Sequence, residues 1–210
     1  MQNLILASSS SYRKSLLERL QISFTCVSPD LDERAHTNES AQAQAVRLAS
    51  EKAQAVALKH PEATIIGSDQ VAELCTVEPK DPHLKPTLNQ SSDQSSRILG
   101  KPGNHQRAVE QLSAQSGQVV KFYTAVTVLA QGASSSALDI TEVTFRDLTS
   151  IEIESYLKAD TPYNCAGSFK AESLGISLFE SVNSSDPSAL IGLPLIKLSQ
   201  LLRDRDIQTN

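Results

Sequence analysis

Leu4-Ile5-Leu6-Ala7-Ser8-Ser9-Ser10-Ser11-Tyr12-Arg13 is the stretch on which the reading of this chain turns. Leu4 to Ala7 is a short apolar run of the kind a buried strand uses. Four serines follow, and Arg13-Lys14 leads into Leu16-Leu17-Glu18-Arg19-Leu20, whose leucines recur at helical spacing. Serines entering a helix provide an N-cap and leave backbone N–H groups unpaired at its start. With the positive end of the helix dipole and Arg13 beside them, that corner suits a phosphate or polyphosphate. An ordinary capped helix after a first strand accounts for the same residues, so the rest of the chain has to decide.

The chain has 210 residues, enough for one domain or one domain with two lobes around a substantial core. Aliphatic side chains must build that core, because aromatics make up 4% and tryptophan is absent. A net charge of −5 argues against a general nucleic-acid or anionic-membrane surface. An anionic ligand would therefore need a local cluster of Lys and Arg. The three cysteines, Cys26, Cys75 and Cys165, are widely spaced and form no CxxC, which points to reduced thiols rather than zinc. No run approaches a membrane span, and the chain opens on a strand rather than a basic-then-apolar signal segment. The expectation is a soluble cytoplasmic α/β enzyme.

Downstream, Ile22 to Val27 reads as a second strand, with Phe24 and Cys26 alternating with polar neighbours. Asp30, Asp32 and Glu33 crowd a charged loop, which composition alone describes as a solvated turn. From about Ser40 to His60 runs a long amphipathic helix carrying Arg47, Glu51 and Lys52, stopped by Pro61. Ala63-Thr64-Ile65-Ile66-Gly67 is a buried-strand run that delivers Ser68-Asp69-Gln70 at its C-terminal end, the edge where open α/β sheets bind ligands. Residues 76–97, rich in Pro, Ser and Gln, read as a flexible insertion in the single domain. Order resumes at Leu99-Gly100-Lys101-Pro102-Gly103, followed by a helix from about Gln106 to Gln115. A hairpin follows, with strands over 118–129 and 137–146 and a turn over 131–136. Ser150 is expected to cap the next helix. Residues 164–175 look like a ligand-lining loop, Ile176 to Val182 a strand, and Leu195 to Leu202 the last helix.

Ser8 to Arg13, Glu33, Lys52, Asp69, Lys101 and Lys170 all fall near predicted element ends. Several cations with two separated carboxylates are what phosphoanhydride hydrolysis needs. The cations neutralise the polyphosphate, while the carboxylates hold Mg²⁺ or Mn²⁺ and take a proton from water. There is no GxxxxGK[ST], GxGxxG or GxSxG, and His36, His60, His83 and His105 lack ligand spacing.

Taken together the pieces resemble the Maf nucleotide pyrophosphatases. The matching strings are Leu-Ala-Ser-Ser-Ser-x-x-Arg at 6–13, Asp32-Glu33, Glu51-Lys52-Ala53, Gly67-Ser68-Asp69-Gln70-Val71 and Gly100-Lys101-Pro102. They continue through Phe122-Tyr123-Thr124, Cys165-Ala166-Gly167-Ser168-Phe169-Lys170 and Gly192-Leu193-Pro194-Leu195. The wording at 67–71 and 166–170 resembles the YceF-type branch, which hydrolyses 7-methyl-GTP to the monophosphate and pyrophosphate. The resemblance implies an inosine-triphosphatase-like (Maf/Ham1) α/β fold, with an elongated mixed sheet flanked by helices and two lobes about a cleft. It implies that Asp69 activates water and that Tyr12, Gln70 and Glu172 set base specificity. Ser8, Arg13, Lys52 and Lys101 match phosphate-handling positions, Glu33 and Asp69 metal-handling ones, and the family suggests a homodimer.

Tyr12 and Glu172 suit a cationic 7-methylguanine. An aromatic face attracts a cationic ring by about 0.5–2 kcal/mol, and a carboxylate accepts the Watson–Crick-edge protons. Helix packing for Tyr12 and a solvated loop for Glu172 are the ordinary alternatives. The same family's dTTP/UTP pyrophosphatase branch, and a non-catalytic nucleotide-binding regulator of cell division, are the rival functions. Two departures from the pattern stand out. Lys14 replaces an arginine and loses its bidentate fork. Ser173 replaces a common glycine, which would restrict the loop if φ there were positive.

Overall fold

The structure, a computed structural model, describes residues 3–75 and 97–207. The expected insertion thus lies outside the described residues except at its end, where Arg97 opens a strand instead of closing a loop.

Strand β1 (Leu4–Ala7) is followed by helix α1 (Ser11–Glu18), β2 (Thr25–Val27), α2 (Ala41–Ala57), β3 (Thr64–Cys75) and β4 (Arg97–Leu99). Then come α3 (His105–Gln115), β5 (Val119–Ala130), β6 (Ala133–Phe145), α4 (Ser150–Asp160), β7 (Phe179–Asn183) and α5 (Leu195–Arg203). The strands form a mixed seven-stranded sheet in the order β2-β1-β3-β5-β6-β7, with β4 antiparallel to β3. β1 lies parallel to both β2 and β3, with Ala7 opposite Val27 on one side and Gly67 on the other. An α/β fold with a mixed sheet flanked by helices is therefore what the chain adopts.

The described chain divides into two compact units. One is built within Met1–Val71, Phe122–Thr141 and Asn183–Asn210, the other within Ala72–Lys121 and Glu142–Val182. In the first unit, the period of two along the strands separates two apolar faces. Leu4, Leu6 and Ile66 pack with Leu16 and Leu17 of α1 and with Leu198 and Leu202 of α5. Ile5, Ala7 and Ile65 pack with Ala53 and Val56 of α2. Ala41, Ala45 and Ala49 continue the α2 stripe against Val71 and Ala125. The approach of α2 to β3 depends on Gly67, where a Cβ would stand 2.2 Å from the Ala49 carbonyl oxygen and 2.8 Å from the Ala53 nitrogen. In the second unit, Phe145, Phe169 and Phe179 meet edge-to-face with centroids 4.9–5.6 Å apart, an arrangement that favours the ring quadrupoles.

Several sequence expectations are corrected. β3 does not stop at Gly67 but runs on to Cys75, because Val71, Ala72 and Leu74 restore an almost wholly buried strand. Ser68-Asp69-Gln70 are thus mid-strand residues, lying just past the last β1 pairing at Gly67. β2 is confined to 25–27 and Cys26 is exposed, while Ile22 and Phe24 pack onto the apolar cluster from the preceding loop. The hairpin turn is only Gln131-Gly132, both at positive φ (50° and 78°), the backbone that suits right-twisted strands, so 133–136 join β6. Thr149, not Ser150, caps α4, through a reciprocal capping box with Glu152. Within 164–175, Gly167, Ser168, Phe169 and Gly175 are buried in the second unit, while Asn164 and residues 172–174 stay exposed. Residues 174–178 form a 3₁₀ turn, and the strand expected from Ile176 begins only at Phe179.

Candidate active site

At the first corner, Ser10 caps α1 by accepting from the Arg13 backbone N–H at 3.4 Å, and Ser8 Oγ accepts from Ser10 N–H at 3.1 Å. Ser8 is buried, and Tyr12 and Arg13 are half-buried on the first turn of α1. The Arg13 guanidinium donates through Nε to the Gly192 carbonyl at 2.9 Å.

The side chains of β3 alternate in function as they do in packing. Gly67 and Asp69 face α2, whereas Ser68 and Gln70 face residues 189–192. Lys52 sits in the buried stripe of α2, where the helical spacing otherwise places Ala45, Ala49, Ala53 and Val56. Its ammonium donates to Asp69 Oδ1 at 2.6 Å and lies 2.7 Å from Glu33 Oε1. Lys52 and Asp69 are only 5% and 6% exposed, while the Glu33 side chain is about half exposed. Arg13 and Glu33 both act electrostatically on Asp69. One cationic hub thus gathers two carboxylates.

Burial decides the Asp69 protonation balance. Desolvation raises its pKa above the ordinary carboxylate value, and it outweighs the lowering by Lys52 and Arg13. Desolvation likewise lowers the Arg13 pKa, against Asp69 and Glu33, although a guanidinium stays charged throughout the working range. A carboxylate held between desolvation and a cation is suited to accepting a proton.

Glu33 is held from the side. Its carbonyl accepts from Gln44 Nε2 at 3.4 Å, and Arg47 clamps the loop through Glu39 (2.6 Å) and the Arg34 carbonyl (3.2 Å). Arg47 also reaches Glu51 at 2.9 Å. Hydrogen bonds from Arg47 hold Glu39 down to about 2. The solvated-turn description of this loop is therefore incomplete, since α2 grips it at several points.

Gln70 Nε2 lies 2.9 and 3.1 Å from the Ala189 and Leu190 carbonyls and 3.0 Å from Thr124 Oγ1. Its amide donors are thus directed at the protein. Ser68, fully buried, donates toward the Ala125 and Gly192 carbonyls at 2.8 and 3.2 Å. Sequence reading gave Ser68 and Gly192 no individual role, although both stand inside quoted motifs.

The first unit therefore brings Ser8, Arg13, Glu33, Lys52, Asp69 and Gln70 onto adjoining elements, with Tyr12 on the same turn as Arg13. Lys101 and Glu172 belong to the second unit, and both are exposed. Lys170, counted among the free cations from sequence, instead caps the C-terminal end of α4, its Nζ 2.5 Å from the Asp160 carbonyl. Ser173 has φ −132°, so no glycine is needed there. Of the histidines, His105 contacts Tyr163 (3.0 Å) and Glu154 (3.2 Å) in the second unit. His83 lies outside the described residues. Cys26, Cys75 and Cys165 form no disulfide among the described residues. Among the described residues no group of three or more His, Cys, Asp or Glu is gathered as a metal site, and no helix is long and apolar enough to cross a membrane. The donor set fits a hard divalent cation only in the manner of Mg²⁺, which takes one or two carboxylates and completes its shell with water and substrate phosphate.

Fold and site together define an α/β protein with a buried Asp–Lys pair, joined by a half-exposed Glu, and a serine-rich helix start. This sets basic groups beside a proton acceptor. A family model described as Maf-like protein matches residues 3–205, and the chain belongs to that family. It is 50% identical over 208 residues to a protein of Xanthomonas axonopodis pv. citri (strain 306) named 7-methyl-GTP pyrophosphatase, covering 99% of both chains. It is 44% identical over 209 residues to a protein of the same name from Albidiferax ferrireducens, covering 99% of this chain and 95% of the relative. Among solved structures it is similar to a HAM1 protein from Coxiella burnetii, with a TM-score of 0.47, 13% identity and coverage of 97% of this chain and 100% of that one.

Proposed function

We propose that this chain hydrolyses the α–β phosphoanhydride of 7-methyl-GTP, giving 7-methyl-GMP and pyrophosphate, and so removes a modified nucleotide from the cytoplasmic pool. The observation that carries the chemistry is Asp69, a buried carboxylate with a raised pKa held by Lys52 at 2.6 Å. The names of the relatives supply the substrate. Lys52 holds Asp69 by Oδ1, and the Asp69 carboxylate takes the proton from the attacking water. Arg13 and Lys52 offset charge on the polyphosphate, and the N–H groups after Ser8 add hydrogen bonds at the helix start. Electrostatic stabilisation of this kind is the main demand of phosphoryl chemistry.

A divalent cation belongs to the same proposal. Glu33 and Asp69 would hold it, and it would supply charge neutralisation at the phosphates. Tyr12 and Glu172 are assigned to the cationic base. Gln70, whose amide nitrogen faces carbonyls, is assigned a role through Oε1. Lys101 is assigned to phosphate.

The test is pyrophosphate release with Mg²⁺ or Mn²⁺ from 7-methyl-GTP, GTP, dTTP, UTP and CTP, beside Asp69→Asn. Preference for 7-methyl-GTP, lost with the variant, is the expected result. Preference for dTTP and UTP would keep Asp69 and overturn the roles of Tyr12 and Glu172. No turnover of any nucleotide would overturn the enzyme reading.

A further inference from the structure

Glu172 is an exposed carboxylate on an irregular segment, and exposure alone gives it no fixed direction. Its neighbours are fixed. Lys170 N–H donates to the Tyr156 hydroxyl at 3.0 Å, and Lys170 Nζ donates to the Asp160 carbonyl at 2.5 Å. On the other side, Ser173 Oγ donates to Asp160 Oδ1 at 2.7 Å. Both anchors belong to the last two turns of α4, and both are buried, Tyr156 at 6% and Asp160 at 8% exposed. The short stretch 170–173 is thereby pinned at both ends to one helix terminus.

Asp160 is an expensive residue for that place. It is the last residue of α4, where the helix dipole disfavours a negative side chain. Its Oδ2 is buried without a hydrogen bond of good geometry among the described residues, although the Tyr156 hydroxyl lies close enough to feel the carboxylate. A buried carboxylate so incompletely paired costs stability, so its place at this helix end calls for another reason. The Ser173 hydroxyl is the group that Asp160 receives.

We propose that Asp160 is a positioning residue for base selection: through Ser173 it holds the segment that aims Glu172, and Lys170 and Tyr156 secure the other end. The inference rests on the assignment of Glu172 to the base. It concerns discrimination between bases, not the hydrolytic step at Asp69.

The experiment measures kcat/KM for 7-methyl-GTP and for GTP in the wild type and in Asp160→Ala, Asp160→Asn, Ser173→Ala and Glu172→Gln. It also includes the double variant Ser173→Ala/Glu172→Gln, and each protein is checked by thermal unfolding. Ser173→Ala is expected to lower the 7-methyl-GTP/GTP ratio about tenfold, the scale of a coupled pair, while kcat on GTP stays within about twofold. Asp160→Asn keeps an acceptor oxygen for Ser173 and is expected to retain the ratio that Asp160→Ala loses. In the Glu172→Gln background, Ser173→Ala is expected to cause no further loss. An unchanged ratio in Ser173→Ala, or an additive loss in the double variant, would overturn the proposal while leaving Glu172 in place. An unchanged ratio in Glu172→Gln would overturn both the proposal and the base assignment. Loss of all hydrolysis confined to Asp160→Ala with a lowered unfolding midpoint is a folding effect, and Ser173→Ala then decides the matter alone.

Discussion

Replacing Lys52 by methionine removes the ammonium from the centre of the carboxylate cluster while keeping much of the side-chain volume in the α2 stripe. In the native protein burial already holds the Asp69 pKa above the usual carboxylate value, with Lys52 the largest influence in the other direction. The sign follows. A raised folded pKa means that the stability Asp69 contributes is complete below the ordinary carboxylate range and is lost as pH rises through the raised value. Two unit charges about 4 Å apart attract by about 4 kcal/mol at an effective dielectric near 20. Removing that attraction therefore raises Asp69 further, because burial is left less opposed. Partial exposure of Glu33, which shares the ammonium, reduces the effect without changing its direction. The assay is the pH dependence of kcat/KM for pyrophosphate release. Its acid limb reports the free enzyme's essential base and should move to higher pH. ¹³C NMR of the aspartate carboxyl carbons reads the same shift without turnover. The stability deficit of the variant should also shrink as pH falls and Asp69 takes up a proton. An acid limb and a carboxyl titration that both stay in place would refute the account of Asp69 as a base restrained by Lys52.

Two other perturbations test the walls of the site. Gly67→Ala forces a methyl group against the backbone of α2, 2.2 Å from the Ala49 oxygen, and should destabilise by at least about 1–3 kcal/mol in urea unfolding. An unchanged midpoint would show that α2 does not need the close approach. Gln70→Glu replaces the amide nitrogen with a carboxylate oxygen facing the Ala189 and Leu190 carbonyls at 2.9 and 3.1 Å. A stability loss of at least about 1–3 kcal/mol is expected at neutral pH, relieved in acid; wild-type stability at neutral pH would refute the assigned orientation of the amide.

What could be read from the chain beforehand depended on whether the deciding interaction was local. Ser40 before an alanine-rich run announces its helix, and Ser40 does accept from Ala43 N–H at 3.2 Å. Asp69 stood out because a carboxylate interrupts an apolar run. Its neighbour across space did not: nothing in residues 50–53 says that the Lys52 ammonium turns inward to meet two carboxylates. The polar triplet at 68–70 concealed the continuation of β3, because each side chain finds its partner on a distant segment. Lys170 looked like a cation awaiting phosphate, and only the end of α4 shows where it goes. The two-residue turn at Gln131-Gly132 was masked by the serines after it, which are compatible with either loop or strand.

The contact between Arg13 and the Gly192 carbonyl joins residues 179 positions apart. Ser68 and Gln70 depend on the same late segment, and the core beneath them includes Leu193, Leu198 and Leu202. During synthesis the first strand, the cluster lysine and the aspartate all leave the ribosome long before those residues. A nascent chain therefore carries the parts of its chemistry without the wall that orients them, and closing so long a loop must wait until residues 189–202 have emerged. Hydrolytic competence is, on this architecture, a property acquired only once that late segment is present, and a message truncated before codon 189 would yield a polypeptide with the acid and the lysine but no working enzyme.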